Sequence, residues 1–127
     1  MIKRMMGVAL LALGAVAAQV QAQESAAYAA CLQAANTTVS MNACNNAEIE
    51  REDQRLNQVY KQAMAALGPV QKVKLRDAQR LWIKYIDSNC DLYFTLTGGT
   101  MDMLNGAGCR FRMTSQRADE LEALQLP

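Results

Sequence analysis

Four cysteines, at positions 31, 44, 90 and 109, are the side chains of this sequence best equipped for chemistry. A thiolate can act as a nucleophile, a metal ligand or half of a redox pair, and two thiols can close a disulfide. Spacing decides among these. No Cys-x-x-Cys pair occurs, so neither a thioredoxin-like redox couple nor a zinc ribbon is supported. The chain also contains no His, the commonest general base and metal ligand. Ser-His-Asp catalysis, Cys-His catalysis and His-ligated zinc therefore cannot be assembled from it. An even number of cysteines in an exported chain reads as two disulfides. The pairing Cys31–Cys44 with Cys90–Cys109 is favoured, because each short loop holds the Asn or Gly residues needed to turn. Each loop would contribute ~3 kcal/mol on the chain-entropy model. The rival pairing joins Cys44 to Cys90 and Cys31 to Cys109.

Carboxylates are the other reactive class. Asp53 paired with Asp87 or Asp91 would suit glycoside hydrolysis only across a sugar-sized cleft of about 5–9.5 Å. A narrow pair of helices offers no such cleft, so no catalytic residue and no metal or other cofactor is expected. Asp53 instead falls on an apolar row, between Ile49 and Leu56, with Asn57 a turn later. If the chain folds back at Gly68, these two face Gln79, Arg80 and Trp82. That set reads as a polar clasp fixing the register of two helices, with the Trp82 N–H bonded to Asp53 or Asn57. Asp102, flanked by Met101 and Met103, lies in the segment 100–108, which reads as a Gly-containing loop. It is the candidate partner-binding loop, offering a carboxylate to a partner's active-site donor and two apolar anchors.

These side chains need elements to hold them. The chain is 127 residues long, enough for one domain. Residues 1–22 read as a signal peptide: a basic start with Lys3 and Arg4, the apolar run Gly7 to Ala18, then Val20-Gln21-Ala22 before the cut. Twelve apolar residues cannot span ~30 Å of hydrocarbon, so no membrane span is implied. Tyr28-Ala29-Ala30-Cys31 fits a lipoprotein cleavage site poorly, because polar residues separate it from the apolar run. The expected product is periplasmic or secreted.

Residues 23–127 read as one all-α domain. Ser25 caps a short helix ending near Asn36. A long helix capped by Thr38 carries Ile49, Leu56, Tyr60, Ala63 and Leu67 at helical spacing. Gly68-Pro69 ends it and starts another, carrying Leu75, Ala78, Trp82, Tyr85, Asn89, Leu92 and Leu96. So short a connection predicts an antiparallel helical hairpin. A short last helix, capped by Thr114, carries Ala118 and Leu121. Thirteen basic residues against twelve acidic ones lack the basic excess of a nucleic-acid binder. The basic run Lys72 to Lys84 and the acidic run Glu48 to Asp53 read as solvated helix faces.

The assembled pattern is Met41-Asn42-x-Cys44, Glu48, Asp53, Leu56-Asn57-x-x-Tyr60, Ala78-Gln79-Arg80-x-Trp82-Ile83-x-Tyr85-x-Asp87-x-x-Cys90, Gly98-Gly99-Thr100, Cys109 and Thr114-x-x-Arg117-x-x-x-Leu121. It resembles the lysozyme inhibitor LprI-like (N-terminal domain) family of small exported bacterial proteins, over about Cys31 to Leu121. Ile86 departs from the family pattern, which has Arg before the Asp. The resemblance implies a helical, disulfide-stabilised domain that binds a protein partner, a lysozyme or other muramidase. The alternative is a structural, envelope-associated or immunity-type interaction protein with no effect on lysozyme.

Overall fold

The computed structural model describes residues 24–124, so the expected leader, residues 1–22, lies outside the described residues. Four helices and no strand are found among them: α1 (Ala26–Ala34), α2 (Thr38–Ala66), α3 (Pro69–Tyr93) and α4 (Met101–Ala123). The all-α expectation holds, and so do both disulfides of the favoured pairing, Cys31–Cys44 and Cys90–Cys109. Cys31, the one residue of the weak lipoprotein motif that could carry lipid, is thus held in a disulfide.

Local chemistry explains the helix starts. Ser25 caps α1 by accepting from the Tyr28 amide. Thr37, not Thr38, caps α2. Its hydroxyl accepts from the Ser40 amide at 3.0 Å, and the Ser40 hydroxyl accepts from the Thr37 amide at 3.0 Å. Only Thr37 has a polar residue three positions on to return the bond. Gly68 and Pro69 separate α2 from α3, with Pro69 in the first turn where its missing N–H costs nothing.

The start of α4 differs from what the sequence predicts. The segment 100–108 was expected to be loop, with Thr114 as the cap of the last helix. It is helix from Met101, and Thr114 is buried mid-helix. Gly106 carried the loop signal, yet its role is close packing. A Cβ there would lie 2.3 Å from the Phe94 ring, so only glycine lets that ring rest on the helix.

The longer α4 changes how the bundle closes. The chain reverses at Gly68–Pro69, but α2 and α3 make little direct contact, and both pack on α4. Arg55 on α2 reaches Ser115 and Asp119, while on α3 Cys90, Asp87 and Gln79 meet Cys109, Arg110 and Arg117 in turn. Hence α4 runs parallel to α2 and antiparallel to α3. Its inward residues, Gly106, Ala107, Ser115 and Ala118, are small and let its neighbours approach.

The buried row of α2 is Cys44, Glu48, Glu52, Leu56, Val59 and Ala63. Of the expected row, Leu56 and Ala63 are buried and Ile49, Tyr60 and Leu67 are half-buried, while Asp53 is exposed and Glu48 and Glu52 turn inward. On α3 the buried residues are Leu75, Ile86 and Cys90, whereas Tyr85, Leu92 and Leu96, also expected inward, are exposed. The core has two parts. One joins Leu56, Val59, Ala63, Leu75, Ala118 and Leu121, and the other surrounds the Cys90–Cys109 disulfide with Ile86. Trp82 packs against both. Ile86 fills core beside that disulfide.

Candidate functional site

The expected clasp does not close. Asp53, Asn57 and Arg80 are exposed. Gln79 accepts from the Arg117 guanidinium of α4 at 2.9 Å. Trp82 is half-buried and packs against both parts of the core. The cause is the placement of α4, which meets α2 and α3 where each was expected to meet the other.

Other polar groups hold the bundle, two of them from the acidic run Glu48 to Asp53. Glu48 is 2% exposed. It accepts from the Ser25 amide at 2.8 Å, the Ser25 hydroxyl at 2.6 Å and the Arg51 guanidinium at 2.8 Å. Burial pushes its carboxyl up, but the Ser25 bonds and Arg51 outweigh burial and hold it below its ordinary value. Buried Glu52 accepts from Arg55 through Nε at 3.0 Å and Nη2 at 2.9 Å. Arg55 also donates to Asp119 at 2.9 Å and to the Ser115 carbonyl at 3.2 Å. Burial lowers the Arg55 guanidinium's pKa, while bonds to Glu52 and Asp119 raise it by more. The signal that could have found this site was the spacing Cys44-Glu48-Glu52-Leu56, one residue every turn, with Arg three positions after each Glu.

Asp102 also proves to be internal. Its carboxylate accepts from the Thr97 amide at 3.0 Å, the Thr97 hydroxyl at 2.8 Å and the Gly98 amide at 2.8 Å. Gly98 has φ of 73°, the left-handed region that favours glycine. Burial raises the Asp102 carboxyl, but the bonds from Thr97, Gly98 and Asn105 hold it below its ordinary value. A carboxylate with these commitments is not free for a partner's donor, so that expected role is corrected. It fixes the turn between α3 and α4 instead. Met101 and Met103, on either side, are exposed.

Surface apolarity is uneven. Of the twelve large apolar side chains exposed among the described residues, ten lie between Val70 and Met103, on α3, its turn and the first residues of α4. Phe94, Leu96, Met101 and Met103 cluster in sequence around the turn that Asp102 fixes. The Cys90–Cys109 disulfide ties the two helices just behind it. This arrangement has no nucleophile–base pair, and no group of acidic or sulfur ligands among the described residues could hold a metal ion. What it offers is a rigid apolar contact surface. No helix among the described residues is long and apolar enough to cross a membrane.

Comparison with known proteins gives one family. The family model described as lysozyme inhibitor LprI matches residues 29–121. A curated relative, an uncharacterized protein of Rhizobium meliloti (strain 1021), is 30% identical, with 68% of this chain and 72% of the relative covered. No solved structure matches the chain.

Proposed function

The chain belongs to the lysozyme inhibitor LprI family, and on that premise we propose that it is an exported protein-binding module whose partner is a lysozyme-type muramidase. The contact surface is the α3–α4 turn, with Phe94, Leu96, Met101 and Met103 as apolar anchors. The observation that carries this reading is the fixing of that turn by Asp102, beside exposed methionines. A surface ordered before binding loses less entropy on association than a floppy one. Methionine side chains adapt to an irregular partner surface. Two disulfides and the signal-like leader sequence support export to the periplasm or beyond the cell.

The test is an inhibition titration of several muramidases with the wild-type protein and with the Met101→Ala/Met103→Ala pair. Inhibition by wild type that falls at least tenfold in the pair supports both partner and surface. Inhibition unchanged in the pair keeps the partner and moves the surface elsewhere. If no muramidase is bound or inhibited, the alternative reading stands: an envelope-associated or immunity-type interaction protein.

A further inference from the structure

Charge is segregated along this chain, although its total is close to balanced. Residues 72–84 of α3 hold five basic side chains, Lys72, Lys74, Arg76, Arg80 and Lys84, against one acid, Asp77. The other described residues hold six basic and eleven acidic side chains. The basic segment also carries apolar groups that the core leaves outside. Val70 is 64% exposed, Leu81 67% and Tyr85 60%. With Lys74, Lys84, Leu92 and the acid Asp77 they fall along one side of α3, at helical spacings, away from the buried Leu75, Ile86 and Cys90.

We propose that this side of α3 docks on an anionic phospholipid surface, lying on the bilayer without crossing it. Three features favour lipid over an acidic protein. The surface is a single convex helix, which a flat deformable layer can accept without a matching groove. Lys74 and Lys84 stand among its apolar groups, and their stems can lie in the headgroup layer while their ends meet phosphate. Tyr85 has the apolar body and polar tip suited to that boundary. The acidic remainder of the molecule would be repelled, which orients α3 toward the surface. The α3–α4 turn is a different surface, so this inference does not depend on a muramidase being the partner.

Vesicle co-sedimentation tests the proposal on protein purified after export, with both disulfides formed. Phosphatidylcholine vesicles are compared with vesicles containing phosphatidylglycerol, at low and high salt. Wild type should partition at least tenfold better onto the anionic vesicles, and the preference should fade with salt. Each charge lost near a membrane surface weakens binding about fivefold, so Lys74→Glu/Lys84→Glu should abolish the preference. Asp77→Asn should strengthen binding about fivefold. Leu81→Ser/Tyr85→Ser should weaken it about tenfold. Arg112→Glu, on exposed α4 surface, should change little. All variants are exposed, and unchanged thermal melts confirm that they fold. Equal binding to both vesicle types overturns the proposal. So does equal loss with Arg112→Glu, which would reflect net charge alone. Loss of muramidase binding in Leu81→Ser/Tyr85→Ser, without loss of vesicle binding, would make this face a protein contact and overturn it too.

Discussion

The α2–α4 half and the α3 half of the bundle solve the burial problem in opposite ways. Along α2, charged side chains go inward and find partners: Glu48 takes Ser25 and Arg51, and Glu52 takes Arg55, which reaches on to Asp119. Along α3, charged side chains stay outside and apolar ones stay outside with them, including Val70, Leu81, Tyr85 and Leu92. The first half is saturated, with no buried side-chain polar atom lacking a partner among the described residues. The second is anchored at a few points, chiefly the Cys90–Cys109 disulfide, Ile86, Leu75 and Trp82. Saturated surface has little left to give a partner. Surface held at a few points has much to give, and the exposed apolar side chains are concentrated there.

That contrast can be broken by substitution. The largest effect is expected in the saturated half. Leu121→Ala, at a fully buried site between α2 and α4, should cost about 3–4 kcal/mol, read from urea unfolding. Next, removing the anchor with Cys90→Ala/Cys109→Ala should cost about 3 kcal/mol. Hydrogen exchange should then quicken along α3 more than along α2; uniform quickening would mean the halves are not distinct. Gly106→Ala should cost about 1–3 kcal/mol by overpacking against Phe94, and a paired Phe94→Ala should relieve much of it.

Acid should act through Glu48 and Asp102. Both carboxyls are held below their ordinary values of 4.5 and 3.8 in the folded state. Their stabilisation is complete above those values and is lost as pH falls through the lower folded ones. Thermal melts should therefore be flat from neutral to about pH 5 and fall below it, and Glu48→Gln should make that fall shallower. The smallest effect belongs to the open face: Leu81→Ser should move stability by less than about 0.5 kcal/mol.

The sequence made some of this legible and hid the rest for identifiable reasons. Helix-stop chemistry at Gly68-Pro69, the Ser25 cap and short-range cysteine pairing are local properties, and all appear in the fold. The α4 start is not local. Gly106 reads as a loop residue until the Phe94 ring is placed on it. Leu56 and Ala63 of α2 are buried as their spacing predicts, but Glu48 and Glu52 look like solvent-facing acids in the sequence and are buried too. What allows their burial is a hydroxyl from Ser25, 23 residues away, and an arginine shared with α4. Of the residues expected to form the clasp, Trp82 packs against both parts of the core, and Gln79 accepts from Arg117 of α4. Met101 and Met103 are outward as expected, while Asp102 between them turned inward because its carboxylate caps the backbone of its own turn.

The disulfides pair consecutive cysteines, the first with the second and the third with the fourth. For a chain threaded across a membrane from its N-terminus, that order has a kinetic meaning. Cys31 and Cys44 emerge first, and an oxidase meeting them joins the native pair. Cys90 then arrives with no free thiol ahead of it to capture, and its native partner follows nineteen residues later. Oxidation during translocation thus yields the correct connectivity without the slow reshuffling that nested or crossed bridges require. A chain exported in that way is completed by a thiol oxidase alone, with no need for an isomerase.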